Sequence, residues 1–235
     1  MNSRVAKFGA GLAMVAMLGA ACGSDQDDTA DAADRIEEST ENAGMETASV
    51  ETGAAELRAG LTSLLQEHVY LAGAAIATAV QAGGDLEAPA VSSAVETLDA
   101  NSVSLSEAVA SVYGEDAGAQ FLELWRNHIG FFVEYTLGGA TGDTTQQDAA
   151  KAKLDDYRAD FGAFIDSATG GGLAADTVAE NLEVHVDTLI EAIDAVLAGS
   201  PDVFPQLREA AQHMPSTAMA LSSAIAAQFP DRFPA

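Results

Sequence analysis

Three stretches decide the fold: LLQEHVYLAGAAIATAVQAGG (64–84), ELWRNHIGFFVEYTLGGATGD (123–143) and NLEVHVDTLIEAIDAVLAGSP (181–201). Each carries a histidine, His68, His128 or His185, followed at once by a β-branched residue, Val69, Ile129 or Val186. A glycine comes 14 or 15 residues further on, at Gly83, Gly142 or Gly199. In the second stretch Phe121, Trp125, His128, Phe132 and Tyr135 recur at intervals of three and four. That period puts them on one helical face, so the imidazole points into the core with its apolar neighbours.

Working outward, the helical period runs from Ala54 to the end of the chain, and glycine, proline and aspartate mark the breaks. The expected helices cover about 54–82, 89–112, 116–138, 145–168, 174–198 and 202–228. Pro89 suits a first helical turn. Pro215 falls inside the sixth helix and should kink or split it near His213. The even helices also correspond to one another. Leu98, Leu105 and Val109 match Leu154, Phe161 and Ile165, and again Met214, Leu221 and Ile225. The unit is therefore read as an αα-hairpin of about 56 to 60 residues, present three times. The expected class is all-α, a six-helix bundle made of three αα-hairpin repeats.

Before this domain, residues 1–22 read as a targeting segment. Arg4 and Lys7 precede a short apolar run, Phe8 to Leu18, too short for a stable span. The run ends in Leu18-Gly19-Ala20-Ala21-Cys22, with small residues before the only cysteine of the chain. This resembles a bacterial lipoprotein signal, in which the cysteine is lipidated and becomes the mature N-terminus, although the usual leucine stands one residue early. Plain cleavage near Ala21 is the rival reading. Acyl chains on Cys22 would anchor the protein to the membrane, and a single cysteine allows no intramolecular disulfide. Residues 23–53 carry ten acidic residues against Arg35 alone and no aromatics. They read as an extended, disordered acidic linker. The expected location is the extracytoplasmic face of the cell membrane, or secretion if the cysteine is not used.

The 235 residues carry a formal charge of −26, which repels nucleic acid and anionic headgroups and attracts cations diffusely. No nucleophile elbow, phosphate loop or zinc-protease helix is present, and Gly170-Gly171-Gly172 follows a helix and has no lysine. An enzyme is therefore not expected. The chemistry-bearing residues are His68, His128 and His185. If the three hairpins bring them near one axis, they suit copper, zinc or iron. His213 and Met214 are candidate further ligands, favouring copper through the soft thioether. One ring beside an apolar slot would serve a haem. Asn101, Tyr157 and Thr217 occupy matching positions on the even helices and are candidates for orienting the histidines. Glu67, Glu123, Glu134 and Glu183 are read as surface acids, and Trp125, Tyr70, Tyr113 and Tyr135 as packing aromatics. The main reading nonetheless leaves all three histidines structural, with metal or haem binding as the alternative. The function is then non-enzymatic binding of an envelope partner.

The stretch Leu57–Phe233 resembles a family of secreted or surface proteins of Gram-positive bacteria with no established activity. The resemblance is carried by Glu67-His68-Val69, Tyr113-Gly114, Leu124 to Ile129, His185-Val186 and the ending Gln228-Phe229-Pro230-Asp231-Arg232-Phe233. Members are sometimes labelled copper amine oxidase, which implies a much longer β-rich protein with an Asn-Tyr-Asp or Asn-Tyr-Glu cofactor site. That tripeptide is absent here.

Overall fold

The computed structural model describes residues 52–234. The segment expected to be a targeting signal, Cys22 and nearly all of the expected acidic linker lie outside the described residues. Seven helical segments and no strand are present among them: α1 (Gly53–Gln81), α2 (Pro89–Tyr113), α3 (Glu115–Thr141), α4 (Thr144–Ala168), α5 (Ala175–Ala198), α6 (Val203–Gln212) and α7 (Met214–Gln228). The last two are the sixth helix, broken at His213. Pro215 has no N–H to donate, and Ser216 and Thr217 turn their amides onto the His213 carbonyl at 3.2 and 3.3 Å. The described residues form an all-α bundle of six rods, as the periodicity implies.

Local chemistry sets the boundaries. Thr52 Oγ1 accepts from the amide of Ala55 and Asp143 Oδ1 from that of Gln146, capping α1 and α4. Pro89 opens α2 without a side-chain cap, its missing N–H being one that a first turn leaves unpaired anyway. The three histidine-bearing helices end alike. Gly83, Gly142 and Gly199 take φ of 68°, 72° and 63°, a left-handed conformation that costs glycine little. Their amides bond Val80, Gly139 and Val196, and the next amides reach back to Ala79, Gly138 and Ala195. This double bond closes the exposed carbonyls of the last turn.

Each helix packs on its sequence neighbours, α7 returns to α1, and α1, α3 and α5 also touch one another. Helices α1, α3 and α5 thus form the inside of a closed ring, with α2, α4 and the α6–α7 rod outside the seams. At one end Tyr113 Oη donates to Gln228 Oε1, Gln228 Nε2 to the Ala168 carbonyl, and the Ala54 amide to the Pro234 carbonyl.

Two main clusters fill the inside. Towards the α1 N-terminus, Leu61, Leu65, Leu105, Phe121, Trp125, Tyr157, Phe161, Phe164 and Ile165 form an aromatic-rich core. Towards the α1 C-terminus, Ile76, Phe132, Tyr135, Leu154, Leu189 and Ile193 form a second. Fully burying one such side chain stabilises by roughly 1.5–3 kcal/mol. His68 and His128 fall at the joint between these clusters, and His185 precedes Val186 at the same joint on α5. Two aromatic expectations change. Tyr70 is 48% exposed, so it faces solvent rather than the core, and Tyr113 is only half-buried.

Candidate functional site

Helices α1, α3 and α5 deliver their histidines to the middle of the bundle at 1%, 3% and 6% exposure for His68, His128 and His185. Each ring lies on the inward stripe: His68 and His128 have buried neighbours three or four residues away on both sides, Leu65 and Ala72, Trp125 and Phe132, while His185 has the buried Leu189 after it and the half-buried Leu182 before it. The His68 and His128 centroids are 5.4 Å apart. Trp125, one turn before His128, faces both, at 4.7 Å from His68 and 4.6 Å from His128. Tyr157 from α4 stacks on His128 at 4.8 Å with 20° between planes. Trp125, expected as a packing aromatic, also borders the two imidazoles. Its place on the His128 stripe was the available signal that it borders the site.

His185 makes no such ring contact. It lines a second cavity with Met214, which is buried on α7. His213 is half-buried beside the helix break, and Met219 is 50% exposed and contributes nothing to the interior. The expected three-histidine site is therefore corrected to a pair plus a single ring. Among the described residues no three His, Cys, Asp or Glu side chains form a group that could hold a metal ion. The α5 ring reaches the same level in the bundle but faces a different space.

Burial governs the electrostatics. It pushes His68 down from 6.5 to about 3, helped by His185. It pushes His128 well below its ordinary value, helped by His68 and His185. The Trp125 carbonyl pulls His128 the other way, but without hydrogen-bond geometry to its Nδ1. His185 falls to about 4 through burial and then His213. All three rings are neutral at pH 7, and the Tyr157 hydroxyl, raised by burial, keeps its proton.

These polar atoms are not satisfied. Nδ1 of His68, His128 and His185, Trp125 Nε1 and Tyr157 Oη are all buried without a hydrogen-bond partner. The candidate orienting groups do not supply one. Asn101 donates to the Leu64 carbonyl and to Glu67 Oε2, at 3.1 and 2.8 Å. Thr217 Oγ1 donates to the His213 carbonyl, and Tyr157 offers its ring face rather than its hydroxyl. Glu134 pairs with Lys153 and Glu183 with Arg158 on the outside of the bundle. An unpaired buried polar group costs about 1–3 kcal/mol, so a partner supplied to this layer would stabilise the fold.

Two small apolar cavities flank this layer. One, of about 90 Å³, is walled by His68, His128, Ile76, Leu98 and Phe132 and reaches the exposed Leu86 and Val95. The other, of about 80 Å³, is walled by Trp125, His185, Met214, Phe161 and Ile225. Either holds an ion or a few waters. Both fall short of the roughly 300–1,000 Å³ that larger organic ligands occupy, so neither accommodates a haem. Chemically the layer offers neutral imidazole lone pairs in an apolar, carboxylate-free setting. Comparison of this chain with family models, curated proteins and solved structures gave no match.

Proposed function

We propose that this chain is a membrane-anchored extracytoplasmic lipoprotein, attached through Cys22, that works as a non-enzymatic binding protein. Its ligand is a transition-metal ion held at the histidine layer. The observation that carries this reading is the set of three buried, neutral imidazoles whose Nδ1 atoms have no partner. A structural histidine in a core is normally hydrogen-bonded, whereas a neutral imidazole with a free lone pair is the form that binds metal. The acidic chain raises the local cation concentration and offers no affinity for nucleic acid. No acid–base or nucleophile pair accompanies the layer, which favours binding over catalysis.

The test is the metal content, by mass spectrometry, of the full chain prepared without a histidine tag or chelator. Near-stoichiometric copper, zinc or iron, lost in His128→Ala, is the expected result. A metal-free protein that takes up none on titration at neutral pH overturns it. Anchoring is checked separately: Cys22→Ser should move the protein from the membrane fraction to the soluble one, and an unchanged distribution refutes the anchor.

One observation favours a second reading, an interaction module for a protein of the cell envelope. Phe204 is 77% exposed and Tyr70 48%, and both line a surface groove between α1, α5 and α6. Cross-linking in cells from position 204 should then trap a partner, and an absence of any product removes the reading.

A further inference from the structure

The metal-binding reading leaves the ion and its ligands open, and the geometry narrows both. We propose that the His68–His128 pair, faced by Trp125, is a two-nitrogen site for a soft monovalent ion, Cu(I), with Ag(I) as its redox-inert counterpart. The inference rests on the metal-binding reading and specifies it.

Spacing comes first. Metal–nitrogen bonds of about 2 Å put each imidazole centroid about 3 Å from a shared ion, so two such centroids stand about 5–6 Å apart. The observed separation is 5.4 Å. Ligand number comes next. Zinc sites take three or four protein ligands, and no group of three His, Cys, Asp or Glu side chains exists among the described residues. Imidazole nitrogen is an accepted copper donor, and Cu(I) is satisfied by two such ligands.

Charge gives the same answer. The pair is buried in an apolar layer with no carboxylate bonded to either ring. The cost of desolvating an ion in such a medium is large and grows with the square of the charge. A monovalent ion on two neutral ligands meets a quarter of the penalty a divalent ion would. The point midway between the two imidazole centroids lies roughly 4 Å from the indole centroid, so an ion held there sits beside Trp125. Finally there is a way in, because the cavity walled by both rings extends to the exposed Leu86 and Val95. His185 and Met214 lie on the other cavity and are outside this site.

Trp125 is the only tryptophan in the chain, so its fluorescence reports on this one place. The experiment titrates the full chain, with Cys22→Ser removing the only thiol, under anaerobic conditions with Cu(I) against a chromophoric chelator. Ag(I) and Zn(II) are titrated in parallel. One equivalent of Cu(I) or Ag(I) should quench Trp125. His68→Gln and His128→Gln should each weaken binding about 100-fold or more, since changes to outer-shell partners alone cost 10–100-fold. His185→Gln should stay within about threefold, an affinity difference well under one tenfold step. Far-ultraviolet circular dichroism identifies variants that remain folded. Zn(II) uptake without Cu(I) uptake overturns this inference and leaves the metal-binding reading standing. Uptake of no metal overturns both. Cu(I) binding that leaves Trp125 fluorescence unchanged, or that survives in folded His68→Gln and His128→Gln proteins, places the ion elsewhere and overturns the assignment.

Discussion

His128 and His185 occupy matching positions in sequence yet sit in different chemistry. His128 has a tryptophan one turn earlier, a tyrosine stacked on its face and a second imidazole 5.4 Å away. His185 has the half-buried Leu182 one turn earlier, and opposite it the outer rod is broken at His213. The same backbone position thus yields a paired ring in one place and a solitary ring in the other. What differs is the bulk at the preceding turn and the residue that the outer helix presents. Burial is common to both, and only the neighbours decide whether a buried imidazole has company.

The largest expected effect tests the common burial. The folded pKa values lie below the 6.5 of the unfolded chain. The unfolded state therefore takes up protons first as pH falls. Above 6.5 both states are neutral and nothing is lost. Below 6.5 each histidine costs about 1.4 kcal/mol of stability per pH unit. The loss ends near pH 4 for His185 and near pH 3 for His68. Three such rings together remove about 4 kcal/mol per unit in the shared window, a large part of a typical total of about 5–15 kcal/mol. Urea unfolding at a series of pH values should show His185→Leu and His68→Leu each less acid-sensitive by about one proton. At pH 7 both should be at least as stable as the parent, because an unpaired buried nitrogen has been removed. Identical pH slopes in parent and variants would mean that the rings are not buried neutral.

A smaller effect separates the two hairpins. Trp125→Leu gives the second histidine helix the same preceding residue as the others, Leu65 and Leu182. It should cost about 2–3 kcal/mol, somewhat under a full tryptophan truncation to alanine. Leu182→Ala, at a half-buried site, should cost less. Equal losses in urea titrations would erase the distinction drawn between the hairpins.

The smallest effect tests where the hairpins are the same. Gly83→Ala, Gly142→Ala and Gly199→Ala meet nothing within 4 Å, so only the left-handed backbone opposes them. Each should lose about 1–2 kcal/mol, with the three close to one another in thermal melts. A large spread would show that the ends differ as much as the centres.

Most of the fold was legible in the chain. The expected helix limits fall within about three residues of the observed ones, and the break near His213 follows from Pro215. The site was legible only in part. The inward direction of His68, His128 and His185 follows from the stripe, and the surface placement of Glu134 and Glu183 from their places off it, whereas their pairing with Lys153 and Arg158 does not. The triad of rings around one point did not follow, and Asn101 turned to Glu67 rather than to an imidazole.

The sequence by itself determined the helices, their ends and the buried face of each, because hydrogen-bond caps, left-handed glycines and a 3.6-residue period act within a few residues of chain. Tertiary structure alone decided which buried rings meet. That depends on how each helix is rotated about its axis and on which side chain fills the gap between two of them. Here an indole stands against one pair of imidazoles, while a methionine from the broken outer rod shares a cavity with the third.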